Sequence, residues 1–286
     1  MKPRAPWMVK LVLRLFSILP LPLNHFIGSI VGLYLYTVPS KSKRVVRTNV
    51  KLCFPDLNEN DIKRLVKNSL IEAGKGFTEL GFIWFNDFNN NSKYIKNIVG
   101  IEHINSEQPA ILLVPHFGCW EITGRVISLN RPVTFLYKPL KNEGLEGLVL
   151  SRRQIGDLQM ATADKNGVIK LQRSLNNKEL IGILPDQDPG QEGSLMAPFF
   201  SHDIRTMTLL VKLARKSNTR VLMTWAERLS HGSGYILNIK PVNVLSESNN
   251  LDDDVALMNK AIEDLVRTKP EQYLFNYKRF KSIVRY

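Results

Sequence analysis

The chain has 286 residues, of which 44% are hydrophobic and 23% are charged, and its formal net charge is +13. This globular mixture supports a substantial core, and the charge surplus implies an anionic partner such as nucleic acid, an acidic membrane surface or an acidic protein. Two cysteines, Cys53 and Cys119, exclude a disulfide framework and lack metal-ligand spacing, so neither a metal nor a cofactor is expected.

The positive charge is concentrated at the N-terminus. Nine basic residues and no acidic residue lie between Met1 and Lys51, and they flank Leu15–Ser40, which contains no charged side chain. Apolar sequence between lysines and arginines is typical of segments attracted to an anionic membrane surface. A nucleic-acid interface would instead interleave its basic residues with aromatic ones, so no nucleic-acid partner is expected.

Two helices are predicted in this segment. Trp7–Leu19 has a single polar stripe, Pro20 ends it, and a second apolar run follows over Leu23–Val38, with Gly28 and Gly32 in a helix-contact spacing. Sixteen residues of helix reach only ~24 Å, short of a ~30 Å hydrocarbon core. We therefore expect residues 1–40 to lie in the membrane interface, with a spanning helix and a buried globular helix as alternatives.

The remaining chain, 41–286, is predicted to form one α/β domain with a mixed, mostly parallel sheet flanked by helices. Asn58 or Asn60 caps a helix that begins at Asp61, and Asn86–Ser92 is a predicted loop. Short apolar runs predict strands, and helical patterns lie between them. The strands are Ala110–Pro115, Val133–Tyr137, Leu180–Leu184, Val221–Trp225 and Tyr235–Ile239, and the helices include Phe117–Leu129, Thr206–Lys216 and Leu251–Thr268.

One motif carries candidate chemistry: His116 and Glu121 lie five residues apart, where a strand ends and a helix begins. On one continuous helix their side chains would diverge, but a loop at His116, with a tight turn at Gly118, lets Glu121 approach the imidazole. A carboxylate bonded to one ring nitrogen fixes the tautomer and makes the other nitrogen a better base. The predicted catalytic pair is therefore His116 and Glu121, against the alternative of a core histidine with a surface glutamate.

The segment His116–Glu121 resembles the H-x4-D/E motif of glycerolipid-type acyltransferases, and the chain is similar to the bacterial lipid A late acyltransferases, the lauroyl and myristoyl transferases. The supporting segments stand in the expected order along nearly the whole chain. They are Arg47–Pro55, Tyr137–Pro139, Leu184–Asp188, Ala197–Phe200 and Pro270–Phe280.

The resemblance also implies site residues. It points to Arg153 for contacts with a phosphate or with the thioester end, and to Asp186 for a supporting polar role, the alternative being surface or loop-capping charges. Lys138 stands where the family usually has arginine. A lysine keeps the charge for binding a phosphate but loses the bidentate geometry.

The implied function is transfer of a fatty acyl chain from acyl carrier protein, or from coenzyme A, to a hydroxyl of a lipid A precursor, on the cytoplasmic face of the cell inner membrane. The partners would be acyl carrier protein, the membrane lipid acceptor and the anionic membrane surface. Another acceptor, such as a lysophospholipid or glycolipid, and a non-catalytic basic membrane-binding protein are the alternatives.

Overall fold

The computed structural model describes residues 6–86, 92–140 and 142–286, so most of the loop predicted over Asn86–Ser92 lies outside the described residues. The strands of the described residues are β1 Ile95–Val99, β2 Ala110–Leu113, β3 Val133–Tyr137, β4 Leu158–Thr162, β5 Leu180–Ile183, β6 Ser194–Phe199, β7 His202–Met207, β8 Val221–Arg228 and β9 Tyr235–Val242.

Four helices precede the sheet along the chain: α1 Pro6–Ser17, α2 Leu21–Thr37, α3 Lys41–Cys53 and α4 Glu59–Phe85. The helices that connect and cover the strands are Glu102–Asn105, Trp120–Ser128, Glu143–Arg153, Lys165–Asn176, Leu209–Ser217 and Leu251–Thr268. Asn58, one of the two predicted caps, caps α4, because its side chain accepts hydrogen bonds from the backbone N–H groups of Asn60 and Asp61. The helix begins at Glu59, two residues before the predicted start at Asp61.

Seven strands form one sheet in the order β1-β9-β8-β2-β5-β3-β4. Every pair is parallel except β8 with β9, which confirms the predicted mixed, mostly parallel sheet. Strands β6 and β7 form a separate antiparallel hairpin. Helices cover both faces, so Ile111 and Leu113 enter one core while Ala110 and Leu112 enter the other. This double burial explains why β2 is apolar without alternation.

Local sequence did not reveal every element. The predictions omitted β1, β4 and the hairpin, and the helix predicted from Thr206 begins at Leu209 because Thr206 belongs to β7. Thr206 is buried there and bonds to the side chains of Asn259 and Arg279, which are contacts that no local pattern encodes.

Helices α1 and α2 both pack against α4. Gly28 and Gly32, whose spacing by itself was weak evidence for a helix contact, lie where α2 meets α4. A Cβ atom added at Gly28 would lie 2.6 Å from the Cα atom of Lys75, and one added at Gly74 would lie 2.1 Å from the Gly28 carbonyl oxygen. Only glycine allows the two backbones to approach so far.

The faces of α1 and α2 that point away from α4 are apolar yet exposed. Within the described residues, no single helix is long and apolar enough to cross a bilayer, although α2 and α3, bent by 83°, together reach the required length and composition. The boundary at residue 40, between the predicted membrane-associating segment and the α/β domain, stays a prediction. Among the large apolar side chains of α1, α2 and the turn between them, four are more than 60% exposed: Trp7, Ile18, Phe26 and Tyr34.

Candidate functional site

The sheet topology brings two polar residues together at one edge. His116 follows β2 and Asp186 follows β5, and these neighbouring strands run parallel, so their carboxyl ends meet. Crevices at the carboxyl ends of parallel strands are where α/β proteins usually place ligands. The loop of residues 114–119, called the His116 loop below, and the turn at Asp186 therefore form a candidate active site.

Asp186 holds the backbone and the ring of His116 at once. Its Oδ2 accepts a hydrogen bond from the His116 backbone N–H at 2.8 Å, and its Oδ1 lies 2.7 Å from Nδ1 of the ring. Burial acts to raise the pKa of Asp186, but His116 outweighs it and the pKa lies below its ordinary value. An ionised carboxylate only accepts hydrogen bonds, so Nδ1 carries a proton, and in the neutral ring Nε2 presents a lone pair.

The structure corrects the pairing expected from sequence, in which Glu121 held the imidazole. The Glu121 carboxylate instead accepts hydrogen bonds from Nε and Nη2 of Arg153 and, at 3.1 Å, from Nε1 of Trp84. Burial acts to raise the pKa of Glu121, while Arg153, Trp84 and the nearby His116 together bring it below its usual value. The physical reason is that Glu121, in the first turn of helix Trp120–Ser128, faces α4 and the end of helix Glu143–Arg153.

The free ring nitrogen has its own neighbours. Nε2 of Gln187 lies 3.1 Å from Nε2 of His116, which puts an amide donor on the lone pair. The indole ring of Trp120 lies 5.2 Å from the imidazole, centroid to centroid, and limits its rotation. Gln187 and the two tryptophans had no role in the sequence prediction, and the only local signal for Gln187 was its place beside Asp186.

Backbone contacts fix the shape of the His116 loop. Gly118 has φ +57°, as the predicted tight turn requires, and an added Cβ atom would lie 2.1 Å from the Ala226 carbonyl oxygen. The Cys119 N–H donates to the same carbonyl at 2.8 Å, and the Leu274 N–H donates to the His116 carbonyl at 3.0 Å. Burial and the nearby Glu79 raise the pKa of the Cys119 thiol, so Cys119 is suited to packing and not to nucleophilic attack.

A cavity of about 180 Å³ adjoins this loop. Apolar side chains of α4 form one wall, and Trp120 and Leu274 form the other. Glu72 and Arg228 add charged groups to the lining. Phe77, at its rim, is 52% exposed and lies on the same side of α4 as α1, since its ring contacts that of Phe16.

Arg153 and Lys138, the other two residues predicted to bind substrate, lie in different surroundings. Arg153 ends helix Glu143–Arg153, and the Glu121 carboxylate raises its pKa against the opposing effect of burial. Its side chain is 29% exposed, so it reaches both the carboxylate and the solvent side of the site. Lys138 lies exposed just beyond β3, and the phosphate contact predicted for it stays a prediction.

The amino-acid sequence of this chain is similar to those of known proteins over nearly its whole length. A family described as bacterial lipid A biosynthesis acyltransferase matches residues 2–282. The chain is 28% identical over 275 residues to the lipid A biosynthesis palmitoleoyltransferase of Escherichia coli K12, covering 95% of this chain and 89% of that protein. It is 28% identical over 282 residues to the lipid A biosynthesis lauroyltransferase of the same strain, covering 96% and 91%. A lipid A biosynthesis acyltransferase of Haemophilus influenzae is 29% identical over 288 residues, covering 96% and 90%.

Proposed function

The chain belongs to the bacterial lipid A biosynthesis acyltransferase family, and on that premise we propose that His116 is the general base that activates the acceptor hydroxyl. The protein is an acyltransferase acting on a lipid acceptor in lipid A biosynthesis. The observation that carries the proposal is the Asp186 contact with Nδ1, which leaves Nε2 of the neutral ring available as a base.

The proposed reaction is a direct transfer. The acceptor hydroxyl displaces the Gln187 amide from Nε2 and gives its proton to that nitrogen while its oxygen attacks the thioester carbonyl. The tetrahedral intermediate then collapses, the C–S bond breaks, and the leaving thiolate takes the proton from the His116 imidazolium. An ester and a free thiol result, and no enzyme nucleophile is required.

Glu121 and Arg153 act as a pair in this proposal. The carboxylate fixes the guanidinium through two hydrogen bonds, and Arg153 stays partly exposed, which leaves it accessible to a substrate. A fixed cation at this position stabilises negative charge on a phosphate or on the developing oxyanion. Glu121 therefore acts on the reaction chiefly through Arg153, while its own charge also favours the imidazolium.

The cavity beside Trp120 is the proposed site for hydrocarbon. It adjoins the His116 loop, and the α4 side chains that line it include Ala73, Phe77 and Leu80. Burying methylene groups of an acyl chain there stabilises the complex by about 0.8 kcal/mol each.

The experiment that tests the function combines lipid analysis with a purified reaction. Mass spectrometry of lipid A from cells with and without the gene should differ by one acyl chain. The purified protein should add that chain to a lipid A precursor from acyl carrier protein thioester. If lipid A were unchanged and the protein acylated a lysophospholipid, the proposed acceptor would be wrong, but the proposed acyl transfer reaction would still hold.

We also propose that the exposed apolar face of α1 and α2 binds the inner membrane from its cytoplasmic side. Lys10 and Arg14 are exposed on α1 beside that face, and basic residues at an apolar surface favour anionic lipid. Such binding would bring the rim of the cavity at Phe77 close to the lipid acceptor.

Replacing Leu15 with glutamate should weaken binding to anionic vesicles by about tenfold or more, because one buried leucine contributes ~1.5–3 kcal/mol. Leu15 is 54% exposed on α1, and Leu129, 64% exposed near the start of β3, provides the matched control Leu129→Glu. Vesicle flotation measures both variants. Equal losses would mean that another face of the protein binds the lipid.

If acyl carrier protein is the donor, its acidic surface meets a chain of net charge +13, and salt should weaken their encounter. We expect kcat/KM for the protein thioester to fall roughly tenfold or more between low and physiological salt, because electrostatic steering raises association rates by about 10–10³. An acyl-pantetheine donor, which lacks the acidic protein, should show a much shallower dependence. Parallel slopes for the two donors, with the acceptor in neutral detergent, would favour coenzyme A thioester as the donor.

A further inference from the structure

A buried cluster of charged side chains lies next to the His116 loop. Its centre is Arg228, at the end of β8, which is 4% exposed. The guanidinium donates from Nε to Oε2 of Glu79 at 3.0 Å, from Nη2 to Oε1 of Glu79, and from Nη1 to Oε2 of Glu72 at 2.7 Å. Both glutamates belong to α4. Burial acts to lower the pKa of Arg228, but the two carboxylates raise it well above its ordinary value, so the charge is retained.

The same arginine holds the His116 loop. Nη2 of Arg228 also donates to the Gly118 carbonyl at 3.0 Å, two residues beyond His116. The side chain of Gln272 exchanges two hydrogen bonds with the Arg228 backbone, and the Gln272 carbonyl accepts from the Gly118 N–H at 2.9 Å. Both backbone polar groups of Gly118 are therefore fixed by partners from outside the loop.

Glu79 extends the cluster to the N-terminal helices. Its Oε2 atom lies 3.0 Å from Nε2 of His25, which is 3% exposed on α2, and accepts from the Tyr235 hydroxyl at 2.9 Å. Burial acts to raise the pKa of Glu79, but Arg228 and His25 hold it well below the ordinary value. A continuous hydrogen-bonded path thus runs from His25 through Glu79 and Arg228 to Gly118.

The backbones of α2 and α4 pack so closely near His25, where this path begins, that α2 has little freedom to move relative to α4. Gly28 lies one turn after His25, and its carbonyl oxygen would be 2.1 Å from a Cβ atom at Gly74. Displacing α2 by even a fraction of an ångström therefore moves His25 relative to Glu79 or opens the helix contact.

We propose that His25, Glu79 and Arg228 form a positioning unit through which the seating of α2 on α4 sets the conformation of the His116 loop. Helix α2 then supports turnover directly, in addition to contacting lipid, and residues 1–40 are more than a detachable anchor. The inference rests on the proposed role of His116. Its physical basis is that a shift of about 1 Å in a catalytic group costs up to ~10²-fold in rate.

The test compares Arg228→Lys and His25→Asn with controls of the same chemistry remote from the site. Arg215→Lys is the control for the first, because Arg215 also makes a two-point contact, with Asp254. His202→Asn is the control for the second, because His202 hydrogen-bonds only the Leu52 carbonyl among the described residues. All variants are assayed with detergent-dispersed acceptor, so that membrane binding does not limit the rate.

The two test variants should lose roughly 10–100-fold in kcat. For the His25 variants, KM for both substrates should stay within about twofold, since His25 does not line the cavity proposed for hydrocarbon. Lysine keeps the charge of Arg228 but cannot reach both glutamates and the Gly118 carbonyl together. The control variants should keep the kcat of the unchanged protein, even where their melting temperatures fall as much as those of the test variants. His25→Gln should recover most of the rate lost in His25→Asn, because the longer glutamine side chain can bring an amide N–H to the position of Nε2 of His25, which the asparagine side chain is too short to reach.

Two results would overturn the positioning unit: kcat values equal to those of the controls, or, in His25→Asn, a rise in KM at unchanged kcat. Should Arg228→Lys fail to fold, the two His25 variants decide the matter alone. His116→Ala is measured in parallel. If it remains active, the proposed base is wrong; if it is inactive while the His25 and Arg228 variants work normally, only the positioning inference fails.

Discussion

His116→Ala is expected to lower kcat/KM by about 10²–10⁴-fold, because the acceptor hydroxyl loses the group that takes its proton. The imidazole is 14% exposed at the edge of the sheet, so its removal opens little space in the core. Asp186 keeps its hydrogen bond from the residue-116 backbone N–H, which limits the cost in stability to about 1–3 kcal/mol. Steady-state transfer with purified protein provides the measurement.

His103→Ala is the matched control, since His103 is a partly exposed histidine in the short helix Glu102–Asn105. It should transfer acyl chains at the rate of the unchanged protein. Near-normal turnover by folded His116→Ala protein would remove His116 from the mechanism and leave Asp186 and Arg153 as binding residues.

Asp186→Asn is expected to be almost as damaging, although the two side chains have the same shape. Both carboxylate oxygens of Asp186 accept hydrogen bonds, one from the His116 backbone N–H and one from Nδ1. Asparagine has a single acceptor. If its oxygen keeps the backbone bond, its NH₂ group faces Nδ1, which moves the ring proton to Nε2 and removes the basic lone pair. We expect a fall in kcat of about 10²–10⁴-fold, together with a changed ring tautomer in ¹⁵N NMR of labelled histidine.

The variant Glu121→Gln distinguishes the role of the Glu121 carboxylate from that of the Asp186 carboxylate. It disturbs the Arg153 and Trp84 contacts but leaves Asp186 on the ring, so turnover should fall while the His116 tautomer stays unchanged. A tautomer change in Glu121→Gln and none in Asp186→Asn would restore Glu121 as the direct partner of the imidazole.

Acidity should affect the fold through Asp186. Because its pKa in the folded protein lies below the ordinary value near ~3.9, ionised Asp186 stabilises the fold above that pH, and the contribution is lost as the pH falls further. Activities of Asp186→Asn must therefore be compared at neutral pH, where the unchanged protein holds this contribution in full.

Several features were already determined by short stretches of sequence. Strand β3 and helix Leu251–Thr268 were predicted with their observed bounds, because an apolar run between turn signals and a 3.6-residue repeat are local patterns. The turn at Gly118 was equally readable, since only glycine takes a positive φ there without a clash. The candidate site at His116 was also indicated locally, by its position directly after a buried strand.

The partners of the site residues were decided by tertiary structure alone. Glu121 is five residues from His116 and was the natural candidate, but Asp186, 70 residues away, reaches the ring because β2 pairs with β5. Arg228 reaches Gly118 across 110 residues in the same way, through the placement of β8 beside β2. A hydrogen bond needs two groups about 3 Å apart. Sheet pairing brings such groups together from distant parts of the chain, and their separation along the sequence does not indicate that they are close in the fold.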